Sequence, residues 1–559
     1  MVLSPSASAS LFTLALFAAT TQAAPSLNVK RAPGGFTMKG SGTGVGALDL
    51  SPSPAAGSVS GSGQTVADVQ DVLYLIEIVL AKNTYIVQMD TGSSDLWVYA
   101  PDDKMQLTNQ TGITATEAYG QGVAEGEIVF GELQLGSYTI PSQAFISASS
   151  AEDFSFFSQG AVGILGLAFD DVELSAINAE LEAAYGATTL GRTPISSIFA
   201  QNPDTPNAFD VHLDRTSDLD DTASGLFFIG EHDPAFANVS AQPRLARQTV
   251  GRWSVPLDGM DVNGAAFAFA PSSIDTVPAG KIAALLDTGF SFPPLQPEAV
   301  DAIYSTIPGA VKYSDQFPQW IVPCDQGTNV TFTFGGLPFA VHPLDLTAIQ
   351  TTEITQNGQS QNVTFCINTY QYLDLDPTSF SGFDAILGDA FLRNVYASFD
   401  YGDTDSSGNQ SFVQLVSTTD PVAAWSDFAA SRKAALAQLP PTIDPKTLVS
   451  ISNGGDTDDS VAGADAVPSS TTVGSVSTPT GAAALQDGST KLYDLVDKYG
   501  PVIVGLLAGN ILIGVLLCAI ALAACMRKGA ARSRSINSSY APVRFKEADA
   551  HSDRTSYHD

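Results

Sequence analysis

Basic side chains are scarce in this chain: 25 Lys and Arg stand against 58 Asp and Glu over 559 residues, for a formal net charge of -33. No basic face is available to displace counterions from a phosphate backbone, so nucleic acid is excluded as a partner. Two readings of the acidity stay open, a solvated surface or adaptation to a medium acidic enough to neutralise many carboxylates. Histidine is rarer still. His212, His232, His342, His551 and His558 are scattered without ligand spacing, and the four cysteines form no C-x-x-C pair, so no metal site and no cofactor is expected. Charged residues make up only 15% of the chain, while Gly, Ser, Thr, Val and Phe are plentiful, which suits strands and turns and excludes coiled coils and helical repeats.

The composition changes along the chain. Residues 11–19 are a short apolar run ending near Thr21-Gln22-Ala23, the pattern of a signal peptide over 1–23, although no basic residue precedes it. Lys30-Arg31 reads either as a secretory processing site or as an ordinary surface pair. Residues 24–65 are expected to form a short prosegment and a Gly/Ser/Ala-rich flexible lead-in. From about Val66 to Val416, short β-branched and aromatic runs alternate with Gly, Pro, Asp and Asn, the signature of a β-rich fold. Short helices are expected over 173–185 and 298–306. Residues 431–500 read as a disordered, Ser/Thr/Pro-rich and O-glycosylated stalk. The apolar run 501–526 follows; as a helix it would measure roughly 37 Å, enough to span a bilayer core of about 30 Å. Arg527, Lys528, Arg532 and Arg534 come directly after it, so residues 527–559 are expected in the cytoplasm and the large domain outside it. This organisation describes a single-pass type I membrane protein of the secretory pathway, at a plasma, vacuolar or endosomal membrane. Cys324 and Cys366 fall in the folding region and can form one disulfide; Cys518 and Cys525 fall in the apolar segment.

Asp-Thr-Gly occurs twice, at Asp90-Thr91-Gly92 and Asp287-Thr288-Gly289, each time at the end of an apolar run. Each copy is followed at a distance by a matching triplet, Ile164-Leu165-Gly166 and Ile386-Leu387-Gly388. A duplicated internal order predicts two β lobes, over 66–240 and 241–430, with a boundary in the Pro-rich stretch 235–250. A strand that delivers a carboxylate to a glycine turn in each lobe would bring two acids to one floor. Two such acids cannot both ionise easily, so one keeps a proton while the other serves as a base.

The run Asp90-Thr91-Gly92-Ser93-Ser94-Asp95-Leu96-Trp97-Val98 resembles the first active-site signature of pepsin-like aspartic proteases, and the resemblance extends over most of residues 70–418. That family is the standing example of a carboxylate pair sharing one proton. It implies an all-β, bilobal fold with a central cleft, here joined to a single C-terminal transmembrane helix. It implies an aspartic endopeptidase acting on proteins or peptides at acidic pH, inhibited by pepstatin-like compounds, monomeric and without a cofactor, with Asp90 and Asp287 as the catalytic pair. Thr91, Gly92, Thr288 and Gly289 would support the pair, the two threonine hydroxyls bonding across the lobes, and Ser93 would hydrogen-bond Asp90 and favour its ionised form. Glu117-Ala118-Tyr119-Gly120-Gln121-Gly122 resembles the β-hairpin flap, with Tyr119 hydrogen-bonded to the Trp97 indole. Tyr119, Gly120, Trp97 and Ile164 would contact substrate. Cys324 and Cys366 match the family's second-lobe disulfide. Asn109, Asn238, Asn329, Asn362 and Asn409 lie in N-x-S/T sequons and are candidate glycosylation sites.

The sequence also departs from that pattern. Phe290 stands where the second signature has a hydroxyl residue, Asp95 where the first commonly has asparagine, and Leu80-Ala81-Lys82-Asn83 where a Gly-Pro-Pro turn is customary. These departures motivate a competing reading, a catalytically inactive pepsin-fold binding or inhibitory module at the cell surface.

Overall fold

The computed structural model describes residues 29–30 and 63–452, apart from 70, 72, 187–188, 217–223, 314–318, 357–358, 374–380 and 403–409. They belong to one compact unit, Met1–Ser460. The expected leader, membrane span and cytoplasmic tail, and Asn409, lie outside the described residues. Among the described residues no helix is long and apolar enough to cross a membrane.

Strand Leu73–Leu80 is a nearly continuous apolar run, and strand Asn83–Asp90 is buried from Val87 to Asp90. They pair antiparallel from Leu75 opposite Gln88 to Leu80 opposite Asn83, leaving a two-residue turn. Ala81 and Lys82 fill that turn with φ of 50° and 72°, a left-handed geometry that favours Asn and Gly. The corresponding turn in the second half, between strands Gly259–Val262 and Ala265–Phe267, is Asn263-Gly264, with φ of 53° and 79°.

A sheet of 13 strands runs through the body. Its middle joins the halves: strand Ala208–His212 pairs antiparallel with strand Val395–Asp400, and the Phe209 and Phe399 rings stack across that pairing at 4.8 Å. Strands Ser224–Ile229 and Gln64–Val69 continue the sheet on one side, and Phe412–Ser417 and Leu245–Ala246 on the other. Under it lies a core to which both halves contribute, with Trp253 and Tyr401 fastened to the other half through bonds to the Leu167 carbonyl at 2.9 and 2.8 Å. Among the described residues the second half adds sheets of two, three and four strands, and four strands of a five-stranded sheet whose edge is Val29–Lys30, paired with Thr352 and Thr351 although it lies in the stretch expected as prosegment and lead-in. The Cys324–Cys366 bond of this half joins segments 42 residues apart, which contributes about 3–4 kcal/mol by restricting the unfolded chain.

Helix Ala176–Tyr185 falls within the expected stretch 173–185, and helix Pro297–Tyr304 begins one residue before the stretch 298–306 and ends inside it. The folded body, however, reaches past residue 430. Helix Pro421–Leu436 and helix Pro445–Ser452 occupy part of the segment expected as stalk. Leu448 is fully buried against Ile321, Ile354, Val363 and Phe365, so four apolar residues of the second half hold a stretch whose Pro and Thr content alone suggested disorder. Asn109, Asn238, Asn329 and Asn362 are exposed, and the Asn329 amide oxygen accepts a bond from the Trp425 indole at 2.6 Å.

Candidate active site

Each Asp-Thr-Gly ends a buried strand that is flanked by a parallel neighbour. Asp90 closes strand Asn83–Asp90, with Met89 opposite Leu165 of strand Gly163–Gly166. Asp287 follows strand Ile282–Leu286, with Leu286 opposite Leu387 of strand Ala385–Leu387. The triplets Ile164-Leu165-Gly166 and Ile386-Leu387-Gly388 are therefore the strands lying behind the two loops. Both aspartates are only 5% exposed.

The threonines lock the loops together with near two-fold symmetry. Thr91 N–H donates to Thr288 Oγ1 at 3.1 Å, and Thr288 N–H donates to Thr91 Oγ1 at 3.0 Å. Each hydroxyl then donates to a carbonyl of the other half, Thr91 to Leu286 at 2.8 Å and Thr288 to Met89 at 3.0 Å. All four buried groups find partners, as buried polar groups must.

Glycine at 92 and 289 is what lets the carboxylates approach. A Cβ on Gly92 would lie 2.3 Å from Asp287 Oδ2, and one on Gly289 would lie 2.4 Å from Asp90 Oδ1. Their amides point inward instead, Gly92 N–H donating to Asp90 Oδ1 and Gly289 N–H to Asp287 Oδ1, both at 2.8 Å. Side chains from across the divide steady the glycine carbonyls: Gln88 Nε2 donates to Gly289 O at 3.2 Å and Arg252 Nη1 to Gly92 O at 3.4 Å.

The third position after each aspartate breaks the symmetry. Ser93 Oγ donates to Asp90 Oδ2 at 2.5 Å. Phe290 brings no donor to the matching place; it packs against the core and, with Ser291, lines the cleft. Burial first, then the Asp90 charge, hold the Asp287 carboxyl well above the ordinary carboxylate range, against the opposing pull of the Gly289 amide and the Arg252 charge.

A cleft of about 600 Å³ opens over the pair. The hairpin of strands Leu107–Ala118 and Val123–Leu135 overhangs it, closed by Tyr119 N–H donating to Gly122 O at 3.0 Å. Tyr119, Gly120 and Ile164 line the cleft. Trp97 donates its indole N–H to Tyr119 Oη at 2.8 Å, but it is fully buried and is not a wall of the cleft. Phe154 and Phe156 pack on the Trp97 ring at 4.9 and 6.0 Å and form the wall in its place, which moves Trp97 from substrate contact to support.

Two carboxylates inside the signature and flap motifs have surroundings that the sequence did not show. Asp95 accepts bonds from Ser175 Oγ at 2.6 Å and Ile177 N–H at 2.9 Å, and Glu117 Oε1 accepts one from Ala176 N–H at 3.0 Å. Two carboxylates thereby meet at the N-terminus of helix Ala176–Tyr185, where exposed amides and the helix dipole favour negative charge. Burial and then the Asp95 charge nevertheless push the Glu117 carboxyl well above its ordinary range. The only signal in the sequence was a charged residue within the flap run. Among the described residues, no group of three or more His, Cys, Asp or Glu side chains could hold a metal ion.

The sequence profile of the family described as eukaryotic aspartyl protease matches residues 73–408. The chain belongs to that family. Among relatives of this aspartyl protease, Major aspartyl peptidase 1 of Cryptococcus neoformans var. grubii is 26% identical over 344 residues, which is 57% of this chain and 64% of that protein. The match thus spans less than two thirds of that relative. The Vacuolar aspartic protease of Candida albicans is 27% identical over 342 residues (58% of this chain, 71% of that protein). Pepsin A of Sus scrofa is 27% identical over 336 residues (56% and 75%). The crystal structure of an aspartic proteinase from Irpex lacteus overlays with a TM-score of 0.47 at 20% identity, covering 65% of this chain and 99% of that one.

Proposed function

We propose that this aspartyl protease is an active endopeptidase that hydrolyses protein or peptide substrates at acidic pH through Asp90 and Asp287. The observation that carries the reading is the pair itself: two buried carboxylates from opposite halves, each so near the other half's loop that a Cβ on its glycine would collide with the acid.

In this reading Asp90 accepts a proton from a water as its oxygen forms a bond to the scissile carbonyl carbon. Protonated Asp287 donates to the carbonyl oxygen as the π bond opens, giving a neutral diol. Asp90 then passes its proton to the amide nitrogen, the C–N bond breaks, and Asp287 recovers the hydroxyl proton as the carboxylic acid forms. Ser93 holds Asp90 for this task, and the Tyr119 hairpin excludes bulk water. The apolar run 501–526 would tether the domain to a membrane, and the leader-like N-terminus together with a relative named a vacuolar protease supports a place in the secretory pathway.

Asp90→Asn or Asp287→Asn is expected to lower kcat/KM at least about a thousandfold, with unchanged thermal unfolding. Undiminished hydrolysis in either variant would refute the assignment, and a folded wild-type chain inert on every peptide between about pH 3 and 6 would favour the binding module instead.

A further inference from the structure

Arg252 is the only cationic residue among the described walls of the cleft; the other charged groups there are Asp90, Glu117, Glu173 and Asp287. It comes just before the buried Trp253 that anchors strand Ser254–Leu257, so its backbone is fixed. Gly251 fits against Leu174 and Asp171 of the first half, and the guanidinium stands over the Phe383 ring of the second half at 5.6 Å.

Its hydrogen bonding is unlike that of the two arginines under the bridging sheet. Arg215 and Arg393 both pair with Asp345, whose carboxyl their charges hold far below the ordinary range. Arg252 makes one long bond, to Gly92 O at 3.4 Å, and among the described residues no carboxylate lies within ion-pairing distance of it. A guanidinium carries five N–H donors in a planar fork suited to a carboxylate. With a single N–H bonded to the protein, the fork of Arg252 keeps donors for an anion entering the cleft.

We propose that Arg252 is a specificity-determining residue that binds an Asp or Glu side chain of the substrate in a subsite adjoining the scissile bond. The inference rests on the endopeptidase reading. The acids whose charge acts on Arg252 are Asp287 and Asp90, and Glu117 and Glu173 are the other acids of the cleft wall; burial raises Asp287 and Glu117 above the ordinary carboxylate range, so acid conditions weaken their competition for the guanidinium. A substrate Glu is ionised above about pH 5 and neutral near pH 3, so the selectivity should follow that titration. The large negative charge of the whole chain repels polyanions, so the favoured substrate carries a single acidic residue in an otherwise neutral or basic sequence.

The test uses the full-length protein carrying Asp90→Asn and short peptides with a central Phe-Phe pair, in which one Glu or Gln is stepped through the flanking positions. At one position Glu should bind about tenfold more tightly than Gln near pH 5, the size of one partly desolvated charged hydrogen bond. That ratio should fall to about one near pH 3. Arg252→Leu should abolish it and Arg252→Lys should keep part of it. Equal binding of Glu and Gln at every position, or a preference that survives Arg252→Leu, overturns the inference. Because the readout is binding, it stands apart from proteolysis: a Glu preference in a protein that cleaves nothing would remove the endopeptidase reading and leave the role of Arg252 as a binding determinant.

Discussion

The two Asp-Thr-Gly loops have nearly the same backbone and different chemistry. Around Asp90 a serine hydroxyl and a glycine amide both donate to the carboxylate. Around Asp287 the glycine amide is matched, but Phe290 replaces the hydroxyl with an apolar ring. The shared part, threonines and glycines, sets distance. The unshared part gives Asp90 a hydroxyl donor in Ser93 and leaves Phe290 without one at the matching place. Two carboxylates this close share a single proton even when their surroundings match, so the unlike surroundings act on where that proton rests.

The shared part is where disruption should cost most. Gly289→Ala places a methyl 2.4 Å from Asp90 Oδ1; since an ångström of misplacement costs about a hundredfold, kcat/KM should fall by about that factor or more while the protein stays folded. Gly92→Ala should do the same from the other side, and a large difference between the two would show that the halves are less equivalent than their geometry.

Phe290→Ser restores the hydroxyl that Ser93 provides in the first loop. A donor to the ionised form lowers a carboxyl pKa, so the alkaline limb of the activity profile should move down by about one pH unit, or about 1.4 kcal/mol. An unmoved limb would mean that Phe290 is not what distinguishes the loops.

Stability should follow the same logic. Asp68, Glu117, Asp287 and Asp389 all sit above the ordinary carboxylate range, chiefly through burial. Groups raised on folding bind more protons in the native state, so the stability they contribute is complete below the unfolded pKa and is lost as pH rises through the folded one. Unfolding free energy should therefore decline above about pH 4.5. Glu117→Gln should flatten that decline by at most about 1.4 kcal/mol per pH unit, measured by denaturant titration across pH. Asp345 runs the other way, but its contribution is lost only under much stronger acid.

The smallest effect belongs to the paired turns. Lys82 is exposed at φ 72°, where the second half has Gly264 at 79°. Lys82→Gly should stabilise the protein by about 0.5–1 kcal/mol, less what is lost with the Glu132 ion pair.

What the sequence made legible was what local chemistry dictates: a carboxylate before a glycine at the end of an apolar strand, repeated with its Ile-Leu-Gly partner, and a glycine-rich hairpin bearing Tyr119. Features set by distant packing were not legible. Trp97 looked like a wall of the cleft because the aromatic layer that covers it, Phe154 and Phe156, lies some sixty residues away in sequence and carries no motif. Glu117 and Arg252 gave no sign of their surroundings, since Asp95, Gly92 and Phe383 reach them only through the fold. Residues 431–452 read as stalk because composition counts prolines and threonines, while packing depends on where a few residues such as Leu448 land.

The account stands or falls on one proton shared between acids of the two halves, and kcat/KM of the purified full-length protein against pH tests that most directly. A bell with both limbs on the acid side of neutrality, lost in Asp287→Asn, is the expected result. Hydrolysis that climbs steadily into the alkaline range, or that keeps its bell without the second carboxylate, would contradict it.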